Sequence, residues 1–352
     1  MSRPEYYAIE NLGGAMLEQF AGAIVAVILA IVGCLGYFWG TNWLLETMLA
    51  GRRANADAET ARRDRLGEQI RPWLFLLPAL LFLSTYLVYP AIETLRLSFF
   101  DRSGSGFVGL ANYTWLLADG DFRASIINNL LWLIIVPTLS TAFGLIIAVL
   151  ADRVWWGDLA KSLIFMPMAI SFVGASVIWR FVYDYRGAGE QQIGLLNAIV
   201  TAFGLPPQTW ISIPVWNSIL LMVILVWIQT GFAMVILSAA LRGIPQETLE
   251  AARIDGANGW QMFYLIMVPQ IKGTIAVVWT TITIVVLKVF DIIFAMTNGQ
   301  WDTEVLANLM FKWMFVNVDY GRGSAIAVII MLAVLPIMVW NVRRAKTEGE
   351  MQ

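Results

Sequence analysis

Apolar residues gather in seven runs, at 20–40, 73–92, 128–151, 162–182, 214–236, 273–296 and 323–340. Each is close to the roughly 20 residues that carry an α-helix across a hydrocarbon layer. Backbone groups in lipid find no water, so a chain with this pattern must satisfy them inside helices. The pattern predicts an all-α, polytopic helical bundle with about seven transmembrane helices. Pro78, Pro137, Pro167 and Pro336 fall inside the runs. They would break a soluble helix, but packed transmembrane helices tolerate them. The one strongly polar stretch, 51–71, alternates acids and bases with alanine and reads as a solvated or interfacial linker helix. Segments 93–127 and 183–213 are loops with Gly, Pro and aromatics, each too short for an independent domain.

Composition agrees. The 352-residue chain is 59% hydrophobic and 14% charged, with mean hydropathy +0.70, against about 25% charged for soluble domains. A net charge of −2 without a basic stripe gives no footprint for nucleic acid. With no histidine and only Cys34, the chain can form neither an intrachain disulfide, nor a His-ligated metal site, nor a His-dependent triad. No catalytic residue and no metal site is assigned. The only lysines are Lys161, Lys272, Lys288, Lys312 and Lys346, and none completes a phosphate-binding GxxxxGK[ST] loop. No cofactor is therefore expected in this chain.

Orientation follows from basic residues in short loops. Arg52, Arg53, Arg62, Arg63, Arg65 and Arg71 follow the first run, and Arg343, Arg344 and Lys346 follow the last. With seven spans both groups fall on the cytoplasmic side, which places the N-terminus outside and the C-terminus in the cytoplasm. Arg96, Arg102 and Arg123 lie in outer segments, so the rule holds as a bias. The flank of the first run carries one Arg and three Glu, the wrong charge for a cleaved signal peptide, and the run reads as a retained helix.

Segment 237–272 shares the cytoplasmic side, and within it "PQETLEAARIDGANGWQMFYLIMVP" (245–269) is compact and partly charged. Pro245 suits the first helical position, and Glu247 and Glu250 sit early, where the helix dipole favours acids. Gly256 can adopt the left-handed conformation that stops a helix. Asn258 can cap a second helix, with Gln261 in the capping-box position. Phe263, Ile266 and Met267 fall on one face, and Pro269 is expected to end that helix. The result is a helix–turn–helix elbow.

Glu250-Ala251-Ala252, Asp255-Gly256-Ala257, Phe263, Ile266 and Pro269 resemble the EAA loop of permease subunits in type I ATP-binding-cassette importers. The stretches at 107–132, 227–245 and 290–299 are also similar to that family, and the resemblance runs from about Trp73 to Arg344. Most similar are the larger, sugar-type permeases, with "LKVFDIIFAMTNGQW" closest to alpha-glucoside permeases. Two departures leave the sugar open: there is no large external domain, and "TNGQW" stands where many sugar permeases have Gly-Gly-Pro.

The resemblance implies an inner-membrane permease in bacteria that passes an oligosaccharide by alternating access. It implies that Glu250, Ala251, Ala252, Asp255 and Gly256 dock on a separate ATPase dimer, which binds ATP and Mg. A second permease subunit and an external substrate-binding protein are its other implied partners, with the lipid bilayer around it. The domains expected are 1–71, a transmembrane helix and basic linker; 72–345, the permease domain with core 124–341 and elbow 245–270; and a short tail, 346–352.

For the path, Lys288 and Asp291 stand at i, i+3 in the sixth run, where a charge costs about 2.5–3.5 kcal/mol and turns toward the bundle interior. An ion pair that locks helix packing and a lining of the path are both open readings. Trp227, Thr230, Gly231 and Met234 recur at helical spacing in the fifth run. Sugars pack C–H faces on rings such as Trp227, and in the resembling maltose permease this part of the helix lines the sugar site. Ordinary small-residue helix packing is the competing reading. Two other functions remain: import of an anionic solute such as glycerol phosphate, facing Lys288, and a membrane scaffold without a path.

Overall fold

The computed structural model describes residues 3–49, 57–187 and 189–349. Arg52, Arg53 and the end of the tail, 350–352, lie outside the described residues. The chain divides into two compact units, Met1–Ile92 and Glu93–Gln352. Among the described residues its regular structure is helical, apart from an isolated bridge between Phe100 and Phe107.

The first unit holds α1 (Arg3–Leu49) and α2 (Asp57–Leu83), with a π turn at Ser84–Val88 leading into α3 (Tyr89–Leu97) across the unit boundary. Phe38 stacks on Phe75 with centroids 5.5 Å apart, Tyr37 Oη donates to Leu74 O at 2.7 Å, and Arg71 donates to Asn42 Oδ1. The apolar windows of both helices bury nothing inside the protein. Their side chains are those of lipid-facing spans.

The second unit begins with α4 (Ala111–Ala118) and the long α5 (Gly120–Ala151). Asp119 starts α5 by accepting from Phe122 N at 2.8 Å, the N-cap bond that satisfies an otherwise orphaned donor. Then come α6 (Gly157–Phe165), α7 (Phe172–Val182), α8 (Leu195–Ala202) and α9 (Trp216–Arg242). The elbow holds α10 (Gln246–Ile254), α11 (Gly259–Gln261) and α12 (Val268–Gln270), the last two joined by a π turn over Met262–Met267. The chain closes with α13 (Lys272–Leu287), α14 (Asp291–Met296), α15 (Leu306–Phe311) and α16 (Tyr320–Gly349).

α9 is the centre of the unit, burying Leu225, Ile228, Met234 and Leu237 among others. It crosses α5 closely because Gly144 faces Ala233: a Cβ at Gly144 would come 2.5 Å from that of Ala233. A second close approach brings Gly231 against α6, where a Cβ would lie 2.5 Å from Ile164 O. Small residues at such crossings let backbones pack where no hydrophobic force acts between helices.

Among the described residues five continuous helices are long and apolar enough to span: Glu18–Leu44, Gln69–Leu97, Gly120–Ala151, Trp216–Arg242 and Tyr320–Trp340. The remaining two expected spans are bent pairs. The fourth breaks between Gly157–Ala169 and Phe172–Val182 at 106°. There Met166–Ala169 tightens to a 3₁₀ turn, Ile170 is extended, and Ser171 restarts the helix by capping Gly174 N. The other bent pair joins the elbow's Gly259–Gln270 to Lys272–Leu287 at 71°, and the sixth run itself is interrupted at Lys288–Phe290. The elbow's second helix ends at Gln270, one residue past Pro269, and the chain turns there into α13. The π turn makes Pro269 feasible within the helix, since Val268 N reaches back to Phe263 O. Contrary to expectation Pro245 is the N-cap of α10 rather than its first helical residue.

Candidate functional site

Two regions of the second unit hold the residues singled out in the sequence. At the elbow, α10 buries Ala252 against the chain's own core, with Leu249 packed beside it. Glu250, Ala251, Asp255 and Gly256 are exposed. Glu247, Glu250, Ala251 and Ile254 recur at helical spacing on the free face. Ile254, the last residue of α10, is 86% exposed, a large apolar side chain standing free in solvent. Its spacing from Glu250 could have revealed it in the sequence. Gly256 takes φ +85° with open space around its Cβ position, so its role is conformational. Asn258 and Gln261 form the expected reciprocal capping box, both bonds at 2.9 Å. Phe263, Ile266 and Met267 are half-buried, as their common face requires.

Just before the elbow, a carboxylate ties the ends of α5 and α9 to α6. Asp152, just past α5, accepts from Arg242 Nη2 at 2.9 Å and from Lys161 Nζ. Ser238 Oγ stands 3.5 Å from its second oxygen. Burial pushes the Asp152 carboxyl up, but the hydrogen bonds and charges of Lys161 and Arg242 outweigh it and hold it below the usual carboxylate range.

Within the bundle, a cavity of about 490 Å³ opens between α5, α6, α7 and α9. Its walls are aliphatic, with Trp227, Thr230 and Trp179 in its lining. Trp179 and Trp227 meet edge to face, centroids 5.7 Å apart. Thr230 donates to Val226 O at 2.6 Å, so its hydroxyl is satisfied by its own helix and keeps its acceptor side for a ligand. Gly231 and Met234 lie outside this lining: Gly231 meets α6 and Met234 is fully buried in the core. Trp179 was not expected at the site; it is on α7, and only the bend before α7 turns it toward Trp227.

Lys288 and Asp291 are not on successive turns of one helix. α13 stops at Leu287, Lys288–Phe290 are non-helical, and Asp291 begins α14. No ion pair joins them among the described residues. Both line a pocket of about 130 Å³ at the break, with Phe172, Leu225 and Val289.

At the end of the bundle opposite the elbow, the loop after α14 holds Asn298, Gly299, Trp301 and Asp302 in left-handed conformations. Asn217 Nδ2 donates to Trp301 O and Asn128 Nδ2 to Asp302 O, both at 2.7 Å. Glu304, almost fully buried, accepts from Lys312 Nζ at 2.5 Å and from Asn308 at 2.7 Å. Gly299 has no room for a side chain, since a Cβ would meet the Glu304 carboxylate at 2.3 Å.

This bundle of broken and continuous spans with an exposed elbow has known counterparts. Residues 140–343 match the family described as binding-protein-dependent transport system inner membrane component. The chain belongs to that family. It is 64% identical to the alpha-glucoside transport system permease protein AglF of Rhizobium meliloti (strain 1021), over 95% of this chain and 99% of the relative. It is 54% identical to the osmoprotective compounds uptake permease protein GgtC of Synechocystis sp. (strain ATCC 27184 / PCC 6803 / Kazusa), over 79% of this chain and all of the relative. A bacterial ABC transporter involved in the import of the acidic polysaccharide alginate shares the fold, with TM-score 0.70 at 21% identity over 80% of this chain and 99% of its own. The protein is thus a multi-pass permease subunit of a binding-protein-dependent ABC importer.

Proposed function

We propose that this permease subunit carries an alpha-glucoside, a neutral oligosaccharide, through the cavity beside α9. The observation that carries the reading is the near full-length similarity to an alpha-glucoside permease, and the cavity's chemistry supports it. Trp227 and Trp179 offer ring faces and edges to sugar C–H groups, Thr230 offers an acceptor, and the Lys288–Asp291 break offers a cation and a carboxylate to hydroxyls. Gly231 and Met234 act behind them by fixing how close α9 lies to α6 and the core.

The elbow faces the cytoplasm in this reading, the N-terminus lies outside and the C-terminus inside. The stripe of Glu247, Glu250, Ala251 and Ile254 docks on a separate ATPase dimer that holds ATP and Mg. Asp255 and Gly256 set the bend and Ala252 the close seat of α10. A second permease subunit completes the path, and an external binding protein delivers the sugar. ATP binding closes the ATPases and moves the elbows, shifting the path between outward- and inward-facing states through differential binding by the partner.

The test is uptake of a labelled alpha-glucoside by the complete transporter in proteoliposomes, with the Glu250→Lys variant alongside. Uptake by the native assembly and about tenfold or greater loss of ATPase docking in the variant are expected. Uptake unaffected by Glu250→Lys would remove the elbow from the mechanism.

A second reading has one observation in its favour. Lys288 is exposed at the break and forms no ion pair among the described residues, which suits an anionic solute such as glycerol phosphate. Competition of unlabelled glycerol phosphate against the glucoside distinguishes the two. Inhibition that disappears in Lys288→Ala supports the anion, and indifference to glycerol phosphate supports the neutral sugar.

A further inference from the structure

The elbow end of the bundle holds a second concavity that the transport path does not use. The last turns of α5 present Ile146 and Leu150 at i and i+4, and Arg153, in the turn just beyond, joins them along one wall. Facing them across a cavity of about 420 Å³ are Trp260, Phe263 and Tyr264 of the elbow's second helix. The Trp260 and Tyr264 rings stack at 5.8 Å with planes 9° apart, and both are largely exposed.

The groove has a polarity order along its length. Ile146 and Leu150 are aliphatic and exposed, and both belong to the membrane span Gly120–Ala151. Trp260 and Tyr264 have the amphipathic character of side chains that settle at the headgroup level. Arg153 stands two residues past the end of the span, where its long stem can lie on apolar surface and its guanidinium reach water. That guanidinium is in no ion pair among the described residues, because the neighbouring Asp152 is already occupied by Lys161 and Arg242. Trp155, 97% exposed in the same turn, adds another ring at that level.

Aliphatic floor, aromatic middle and an unneutralised cation are the complement of an amphiphile with a tail, an ester region and a phosphate. We infer that this groove binds an anionic phospholipid, its acyl chain along Ile146 and Leu150 and its phosphate at Arg153. The lining contains no carboxylate to repel a phosphate. One arginine near a membrane surface is worth about 1 kcal/mol toward anionic lipid, a factor of about five. The inference rests on the membrane embedding of α5, and on the orientation proposed above only for which leaflet supplies the lipid.

The complete transporter is reconstituted in nanodiscs of equal phosphatidylglycerol and phosphatidylcholine, and the phospholipid retained after extraction is measured by native mass spectrometry. Native protein is expected to retain phosphatidylglycerol in preference. Arg153→Gln should lower that preference about fivefold, Arg153→Lys should keep most of it, and Arg186→Gln, in the outer segment, should leave it unchanged. A second measurement needs no variant: photoreactive phosphatidylglycerol on the native assembly should label peptides 146–153 and 259–264 above the rest of the bundle. Equal retention by native and Arg153→Gln protein, or label spread evenly over the spans, overturns the site. So does efficient cross-linking of Tyr264→Cys to the second permease or the ATPase, which makes the groove a subunit contact. Glucoside uptake in the same preparation is read separately, so loss of the lipid site leaves the transport reading standing and loss of transport leaves the lipid site standing.

Discussion

Arg242 Nη2 lies 2.9 Å from Asp152 Oδ1, so the last turn of α9 is fastened to the end of α5 three residues before Pro245 opens the elbow. Lys161 fastens α6 to the same carboxylate. Three core helices therefore meet at one side chain beside the root of the elbow. Asp152→Asn removes the charge and keeps the shape. Its expected effect is a fall of about fivefold or more in maximal uptake, the lower end of a site-to-site coupling free energy, with ATP hydrolysis by the assembly persisting. Sugar taken up per ATP hydrolysed is the deciding ratio. A purely structural role would lower both rates together.

The same carboxylate sets a pH dependence. Its pKa in the folded protein is depressed by Lys161 and Arg242. Its stabilisation is thus present above the ordinary carboxylate pKa and is lost as pH falls through the folded value. The clasp is intact throughout neutral and weakly acid solution. Comparing thermal midpoints of native and Asp152→Asn protein from pH 7 downward should show a gap that narrows only in acid.

Gly231 is held to its size by backbone. In Gly231→Ala the new Cβ would meet Ile164 O at 2.5 Å and Phe165 Cα at 2.9 Å, atoms that cannot swing aside. The expected cost is about 1–3 kcal/mol, visible as a lower unfolding midpoint of the purified assembly. A substitution that leaves the midpoint unchanged would disprove the close approach.

Gly256 is held to its conformation instead. At φ +85° an alanine carries about 1–2 kcal/mol of left-handed strain although space is open. Gly256→Ala should therefore weaken ATPase docking moderately. Gly256→Pro, whose ring fixes φ near −65°, should abolish it while the chain still inserts. Co-purification of the ATPase reads both.

Glu304 and Lys312 form a pair in which the carboxylate is the more buried partner. Lys312→Met leaves that carboxylate without its cation, at an expected cost of about 3 kcal/mol. Thermal unfolding of the variant checks this, and a shift within experimental scatter would mean that water already reaches Glu304.

The elbow was legible in the sequence because its determinants are local. A capping box needs only Asn258 and Gln261 three residues apart, and a left-handed stop needs only Gly256. The span count was legible for a similar reason, since hydropathy sums over neighbours. Interruptions of the backbone were not. Residues 162–182 and 273–296 are apolar throughout their breaks, apart from a few polar residues such as Lys288, so nothing in their hydropathy marks Ile170 or Phe290 as non-helical. The i, i+3 spacing of Lys288 and Asp291 lost its meaning for that reason. Trp179 escaped notice because its approach to Trp227 depends on a 106° bend.

The loop at Asn298–Asp302, pinned to α5 by Asn128 and to α9 by Asn217, makes one end of the bundle a fixed collar. Asp152 makes the other end a second one. A cylinder clamped at both rims cannot open by splaying its staves apart. It has to flex where the staves are already cut, at Ile170–Ser171 and at Lys288–Phe290. The cut at Lys288–Phe290 carries Lys288 and adjoins Asp291, so under the proposed path the joint that yields is also a place where cargo is touched.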